Sequence, residues 1–213
     1  MKYSLPVLEN REETPGVHHI VLALSGTDLA QQYIVGGQYV QLDKGTGEPA
    51  YMAIASAPGR TSLEFLIQRS PGTAGALCDS VEGDRVGCSD VMGDGFPLDR
   101  ADGTRVLMFA GGTGISAVRA VLESRTWKGA RLYYGADTRA QLAYTSRFGD
   151  WEARGVRVVP CVGVYPNDAY ASEGADDCSD VSALLCGPGP MMAAVTELLV
   201  SRGMPEGRAL KNY

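Results

Sequence analysis

The sequence predicts two domains: an antiparallel β-barrel over residues 1–100, followed by an α/β domain with a parallel sheet over residues 101–213. Short β-branched and apolar stretches, bounded by Gly or Pro, fill residues 17–100, as is typical of a small antiparallel barrel. From Arg105 onward, strand-like stretches alternate with stretches of helical spacing, which favours a parallel sheet. The boundary is placed within residues 98–104.

The individual elements follow from the same patterns. In the barrel region, strands are predicted at residues 17–24, 37–42, 51–56 and 62–68, then a helix at 74–81 and a further strand within 83–96. In the α/β region, strands are predicted at 105–110, 131–136, 156–164 and 182–187, with helices at 116–126, 141–155 and 190–203. We expect a five-stranded parallel sheet, and we interpret the acidic stretch at 168–180 as a solvated loop.

Charge and composition exclude several function classes. The chain of 213 residues carries 19 basic and 25 acidic side chains, so its net charge is 19 − 25 = −6. The first hundred residues hold 7 basic and 13 acidic side chains and therefore the whole excess. Nucleic acid needs a basic face, so we expect no nucleic-acid partner. No apolar stretch approaches the ~20 residues of a transmembrane helix, so none is expected.

Cysteine and histidine usage gives no sign of a metal site. None of the 5 cysteines forms a CxxC or CxxxC pair, so neither zinc nor an iron–sulfur cluster is supported. An odd cysteine number without a secretory h-region indicates reduced thiols, and the expected location is the cytoplasm, or the plastid stroma if a transit peptide has been removed. His18 and His19 adjoin on a predicted strand, so their side chains point to opposite faces and we interpret them as structural.

The strongest motif is FAGGTGISAVR at residues 109–119, where an apolar strand runs into glycines and then into a helix. Glycines let a ligand approach the backbone closely, and the helix start offers N–H groups and a positive dipole to a pyrophosphate. Gly112, Gly114 and Ala117 fit the dinucleotide spacing. The alternative is a tight strand-to-helix turn without a ligand.

Two further motifs lie at predicted turns into helices. CGPGPMM at 186–192 falls at the carboxyl end of a strand, where open α/β sheets bind ligands, and a thiol there can contact a reacting ring. Its alternative is a buried cysteine before a proline-started helix. GTAGAL at 72–77 is a second possible anion site, with a simple turn and cap as its alternative.

These motifs, in the order GQYVQL, YMAIAS, FLIQRSPGTAGAL, GGTGIS, YYGADTRAQLAY and CGPGPMM, resemble the ferredoxin–NADP reductase superfamily from about Val17 to Tyr213. Residues 72–98 are similar to the electron-transfer subunit of dihydroorotate dehydrogenase and to plant and algal ferredoxin–NADP-reductase-like proteins. The first of these carries a C-terminal iron–sulfur segment that this sequence lacks, which favours the second group.

The resemblance implies that the barrel holds FAD and the α/β domain holds NAD(H) or NADP(H). Cys186 is implied beside the nicotinamide ring, and Tyr213 as the terminal aromatic that stacks on the flavin. The other implied cofactor contacts are, for the flavin, Tyr51, Ala53, Ile54, Gln68, Gly72, Thr73 and Ala74, and, for the nucleotide, Gly111, Gly112, Thr113, Gly114, Asp137, Gly187 and Pro188.

The sequence departs from the family's flavin motif, Arg-x-Tyr-Ser. Residues 50–53 read Ala-Tyr-Met-Ala, so the arginine for the FAD pyrophosphate and the serine for the flavin N5 are missing. We therefore expect a weakened FAD site. Asp137 lies 23 residues after Gly114, near where an acid accepts hydrogen bonds from a ribose 2′-hydroxyl, and Asp168 adds a charge. Both favour NADH over NADPH, with Arg139 as the nearby cation that could reverse this.

The function expected from the resemblance is that of a flavin-dependent NAD(P)H oxidoreductase. It would pass hydride between nicotinamide and FAD and exchange electrons with a separate protein or a larger complex. Because the first hundred residues are acidic, poor coupling to acidic ferredoxin is expected. One alternative is a catalytically degenerate subunit with a structural or assembly role in a larger complex, such as a photosynthetic one. Another is a module that senses NAD without redox chemistry.

Overall fold

The structure is a computed structural model, and it describes residues 1–174 and 176–212. Its first half is a six-stranded antiparallel sheet with the order β4-β3-β6-β1-β2-β5. The strands are β1 (Tyr3–Thr14), β2 (Val17–Ala23), β3 (Tyr39–Asp43), β4 (Ala50–Ala53), β5 (Ser62–Gln68) and β6 (Arg85–Cys88). Two short helices accompany them, α1 (Leu29–Gln32) and α2 (Thr73–Cys78).

This sheet curls on itself into a barrel. The N–H of Ala55 donates to the carbonyl of Glu64 over 2.7 Å, which brings the chain just after β4 beside β5, the strand at the opposite edge. The fully buried side chains of Leu5, Ile20 and Phe65 fill the interior. In each of these strands every second side chain faces the interior, because successive side chains of a strand point to opposite faces.

The second half is a five-stranded parallel sheet with the order β11-β10-β7-β8-β9. Its strands are β7 (Arg105–Gly111), β8 (Ala130–Ala136), β9 (Val156–Val162), β10 (Val181–Cys186) and β11 (Ala209–Leu210). Its helices are α3 (Ile115–Leu122), α4 (Phe148–Ala153), α5 (Pro166–Ser172) and α6 (Gly189–Ser201). Short 3₁₀ segments lie at Leu98–Ala101, Gly112–Gly114, Arg139–Gln141, Thr145–Arg147 and Glu206–Arg208.

Apolar clusters cover both faces of the parallel sheet. The cluster that contains α3 also contains Val17 and Leu66 of the barrel, so the two halves share one packed core. The C-terminal segment adds a second link, because the Asn212 side-chain amide donates to the Gly37 carbonyl over 2.9 Å. Among the described helices, none is long and apolar enough to cross a membrane.

The predicted fold class, a barrel followed by a parallel α/β domain, is confirmed. The predicted helix at 141–155 is wrong: only Phe148–Ala153 is α-helical, and Tyr144 interrupts the segment with φ 60° and ψ 26°. The stretch at 168–180 is not wholly a loop, because α5 extends to Ser172. The strand 51–56 ends at Ala53. β1 is not predicted from the sequence, because its charged second half hides its alternation.

Candidate functional site

A cavity of about 720 Å³ opens at the carboxyl edge of the parallel sheet, against the barrel. Strand ends of β7 and β8, the chain after β9 and the start of α6 form one wall, and β2 and β5 form the other. The cavity brings together six of the residues that the sequence analysis selected: Gln68, Gly111, Gly112, Thr113, Asp137 and Pro188. The carboxyl edge is where open α/β sheets bind ligands.

The two glycine motifs pack directly against each other at this edge. A Cβ on Gly114 would lie 2.4 Å from the Cys186 carbonyl oxygen, and a Cβ on Gly111 would lie 2.8 Å from Pro188 Cδ. Gly187 takes a φ of +153°, and a Cβ there would lie 2.9 Å from the Gly111 nitrogen. The glycines are therefore required by the close approach of β7 and β10, whether or not a ligand binds.

Gly112 differs from its neighbours because it faces open space. Its φ is +53°, and a Cβ there would meet nothing within 4 Å. The 3₁₀ turn Gly112–Gly114 leads straight into α3, so the first N–H groups of the combined helical segment have no partner within it. Such a helix start attracts anions, and it lines the cavity through Gly112 and Thr113.

The described part of the cavity lining carries a single formal charge, and that charge is negative. Among the described residues that line it, Asp137 alone carries a formal charge, and neither Arg nor Lys contributes. Arg139 and Asp168 are exposed and lie outside the lining, so the predicted roles of these two side chains in nucleotide choice have no support in the geometry. Asp137 remains as the single charged group beside a bound ligand.

Several lining residues were missed by the sequence analysis. Tyr165 stands at the cavity mouth with 69% of its surface exposed, at the start of α5. Thr14 and Pro15 come from the β1–β2 hairpin, and Gln141 comes from the segment after β8. A tyrosine directly before a proline-started helix could have identified Tyr165. The hairpin reaches the cavity only through tertiary packing, so no local pattern marks it.

Cys186 lies behind the cavity lining rather than in it. The thiol is half-buried, and burial raises its pKa to about 11, so it is a neutral thiol at physiological pH. It packs against the same apolar cluster as Ala53 of β4. The end of β10, expected beside the nicotinamide, and β4, expected beside the flavin, thus pack against the same apolar cluster.

The remaining residues expected at the flavin lie on the barrel. Tyr51 is 67% exposed and packs edge-on against Tyr39, with ring centroids 5.8 Å apart. The Ile54 side chain is fully buried in the barrel core, and its N–H donates to the Gln38 carbonyl over 3.1 Å. Ile54 therefore has only its main-chain carbonyl to offer. Tyr213 lies outside the described residues.

Gly72, Thr73 and Ala74 begin α2 apart from the cavity. Gly72 has a φ of +84° with open space where a Cβ would be, so a ligand can approach its backbone. The buried Thr73 hydroxyl, by contrast, already donates to the Glu48 carbonyl over 2.8 Å. Ala74 is half-buried and packs against the barrel core. This turn offers backbone rather than side-chain contacts.

The residues present fit a flavin held by apolar and main-chain contacts. Exposed Tyr51 offers an aromatic face, and Gly72 offers an open backbone. No cation stands at position 50, which is alanine, and position 53 offers no hydroxyl. Within residues 1–174 and 176–212, no group of three His, Cys, Asp or Glu side chains is placed to bind a metal ion. His18 and His19 make separate contacts, with Asn10 and Tyr144.

Comparison with known proteins finds a relative at 33% identity. The chain is 33% identical to the fruit protein pKIWI502 of Actinidia deliciosa over 214 aligned residues, which cover 86% of this chain and 67% of that protein. No protein-family model matches the chain. Because the name of this relative states no activity, the match shows common ancestry and says nothing about the reaction.

Solved structures share the whole architecture. The Amycolatopsis cytochrome P450 reductase GcoB aligns with a TM-score of 0.82 and 26% identity, over 97% of this chain and 68% of that one. A ferredoxin NADP+ reductase from Neisseria gonorrhoeae, solved with bound FAD and NADP, aligns with a TM-score of 0.81 and 16% identity, over 99% and 98% of the two chains. Together with the barrel, the parallel sheet and the paired glycine motifs, these matches show that the chain belongs to the ferredoxin–NADP reductase superfamily.

Proposed function

We propose that the chain is a flavin-dependent NAD(P)H oxidoreductase that exchanges electrons with a separate partner. The observation that carries the proposal is the glycine-lined cavity between the barrel and the carboxyl edge of the parallel sheet. In this proposal residues 1–100 hold FAD and residues 101–213 hold the nucleotide. Bound FAD would supply the acceptor for a hydride from nicotinamide and release electrons to the partner.

The chain's own residues bind and orient the nucleotide. The N–H groups at the start of the Gly112–Gly114 turn would hold the pyrophosphate, and the glycines leave room for it to approach the backbone. Leu66 and Gln68 close the cavity from the barrel side and exclude water from one face. Cys186, a neutral thiol beneath the lining, packs without adding charge near the nicotinamide.

The flavin is held more weakly than in relatives that carry the Arg-x-Tyr-Ser motif. With alanine at position 50, one charge-assisted contact to the pyrophosphate is missing, worth about 1.5–3 kcal/mol. That corresponds to roughly a tenfold to hundredfold loss of affinity. Exposed Tyr51 compensates in part, since a stacked ring buries apolar area on both sides.

The nucleotide is NADH rather than NADPH. A 2′-phosphate needs a cation or several neutral donors, and the described lining of the cavity holds one carboxylate, that of Asp137, and no cation. The same carboxylate can accept hydrogen bonds from an unmodified ribose. On the partner side, the acidic first hundred residues favour a protein with a neutral or basic docking face over an acidic ferredoxin.

One specific observation favours a second candidate, a subunit that keeps the fold without flavin chemistry. The alanines at positions 50 and 53 remove two polar contacts to the flavin. The two candidates differ in FAD binding, which equilibrium titration of the purified chain measures. The oxidoreductase predicts one FAD per chain with a flavin spectrum, whereas a chain that stays colourless after incubation with excess FAD supports the subunit.

A matched pair of variants tests where the flavin sits. Tyr51→Ala removes an exposed ring, so the fold should survive while FAD affinity falls about tenfold, as expected for a lost aromatic stack. Tyr165→Ala removes an equally exposed ring at the nucleotide cavity and should leave FAD affinity unchanged. Equal FAD affinities in the two variants would place the flavin elsewhere.

A further inference from the structure

A buried ion pair joins the barrel to the nucleotide half. Glu64 of β5 and Arg119 of α3 meet with 2.6 Å between Oε2 and Nη2. The Arg119 side chain is 6% exposed and that of Glu64 is 21% exposed, so the pair lies in the interface rather than on the surface. It connects one strand of the first sheet with the helix that follows the glycine motif of the second.

Arg119 is held from several directions at once. Glu123, one helical turn further along α3, accepts from the Arg119 Nε over 3.0 Å. The guanidinium carbon lies 4.5 Å from the centre of the Tyr144 ring, which stacks under it. His19 Nε2 lies 3.6 Å from the Glu64 carboxylate, and His19 Nδ1 lies 3.2 Å from the Tyr144 hydroxyl. These contacts fix both partners in one arrangement.

The two partners of the ion pair lie on β5 and α3, the elements that lead to the two walls of the cavity. Glu64, Leu66 and Gln68 alternate along β5 and so share one face, and the last two line the cavity. Gln68 is about 13 Å along the strand from Glu64. Arg119 is five residues, or about 7.5 Å of helix, from Gly114 at the end of the glycine turn. Each partner is therefore rigidly connected to one wall.

We propose that Glu64 and Arg119 are positioning residues, which set the separation and angle between the barrel wall and the glycine turn. The inference rests on the proposed function, because it assigns to that spacing the alignment of nicotinamide with flavin. Neither residue lines the cavity, so both act through the elements that carry them.

The energetics of buried ion pairs support a role in orientation. Removing two charges from water opposes most of their attraction, and apolar side chains of similar size often give equal stability. Apolar packing is non-directional, whereas the Arg119 guanidinium is anchored by two hydrogen bonds to Glu123 and meets Glu64 through Nη2, so the charge contact has a defined direction. Val17 and Leu66 already provide apolar packing between the halves, so the ion pair adds direction to that contact.

The decisive variant replaces both partners by apolar side chains, as Glu64→Met with Arg119→Met. Glu123 then keeps Arg147 and the Trp151 indole as partners, so no buried charge is left alone. The single variant Glu64→Gln, in which Arg119 keeps Glu123, serves as the second test should the double variant fail to fold. Asp180→Asn is the matched control, because it breaks a surface pair with Arg105 at the opposite end of β7.

Three measurements are made on each variant, besides its melting temperature. Nitroxide labels at Arg60→Cys in the barrel and Glu152→Cys in α4 report the distance between the halves, since both positions are exposed. A chain without these two substitutions, treated with the same label, gives the background from the native cysteines. Stopped flow gives the limiting rate of flavin reduction at saturating NADH, and calorimetry gives the affinity for ADP-ribose, which needs only the glycine turn.

We expect the double variant to keep its melting temperature within a few degrees while its distance distribution broadens. Its limiting rate falls at least tenfold, its ADP-ribose affinity changes less than threefold, and the control matches the unmodified chain. A narrow distance distribution with an unchanged limiting rate overturns the inference. If no variant and no wild-type chain shows flavin reduction, the proposed function fails, and the distance measurement alone still decides whether the ion pair sets the orientation.

Discussion

The nucleotide preference can be tested by changing one carboxylate, in the variant Asp137→Asn. Asp137 is exposed at the end of β8 and is the single formal charge among the described residues that line the cavity. The substitution preserves side-chain size and removes only the charge. We expect affinity for NADP+ to rise and affinity for NAD+ to fall.

The size of the change follows from electrostatics. A carboxylate and a phosphate of about two negative charges, roughly 6 Å apart in a water-like medium, repel by about 1.4 kcal/mol. Removing the repulsion strengthens NADP+ binding about tenfold. NAD+ loses a charge-assisted hydrogen bond to its ribose, worth about 1.5 kcal/mol or another tenfold. The ratio of the two dissociation constants should therefore shift about a hundredfold.

Isothermal titration calorimetry of NAD+ and NADP+ measures both constants without depending on flavin chemistry. Asp168→Asn is the matched control, because it removes an equally exposed carboxylate that does not line the cavity. Raising the salt concentration should reduce the difference between the NAD+ and NADP+ dissociation constants of the unmodified chain, since exposed charges are screened. Equal ratios in Asp137→Asn and in the unmodified chain would refute this reasoning.

Three further outcomes are expected. Gly114→Ala places a methyl 2.4 Å from the Cys186 carbonyl oxygen, so the free energy of unfolding should fall by about 1–3 kcal/mol. Gly149→Ala has open space for its methyl and should not destabilise the chain. Equal melting curves for the two variants would contradict this. Cys186→Ser puts a hydroxyl against an apolar cluster, so it should lower the free energy of unfolding and leave the rate of flavin reduction per folded molecule unchanged; a slower rate with FAD still bound would contradict this. The Cys186 thiol, with its pKa raised to about 11, should resist iodoacetamide at neutral pH. Burial lowers the pKa of His19, although Glu64 opposite acts to raise it, and nearby Arg11 and Arg119 lower it further. The unfolded chain therefore gains a proton first, and stability should fall as pH drops below about 6.5. His19→Gln should flatten that pH dependence, as measured by chemical denaturation at several pH values.

The parallel sheet could be predicted from the sequence because its strands are buried on both faces. Continuous apolar runs such as residues 105–110 identify such strands without knowledge of their neighbours. The glycine turns were found for a related reason: Gly114 has no room for a Cβ, and such a position admits no other residue. Features that depend on such local constraints can be predicted from the sequence alone.

The missed features depend on tertiary contacts. β1 carries charges along its second half, and its pairing with β2 and β6 gives it structure that its own pattern does not predict. Tyr144 adopts a left-handed backbone conformation, and its N–H donates to Glu13 of the barrel, so the α-helix expected over 141–155 does not begin until Phe148. The Glu64–Arg119 pair joins elements 55 positions apart, and neither residue lies in a recognisable motif.

In the proposed function, a nucleotide in the cavity reduces a flavin held by the barrel. The most direct measurement mixes the FAD-reconstituted chain with NADH under anaerobic conditions and follows the visible absorption of the flavin in a stopped-flow instrument. We expect complete bleaching of one FAD per chain, a rate that saturates with NADH, and slower bleaching with equal NADPH. A flavin that stays oxidised under saturating NADH, or faster bleaching with NADPH, would contradict it.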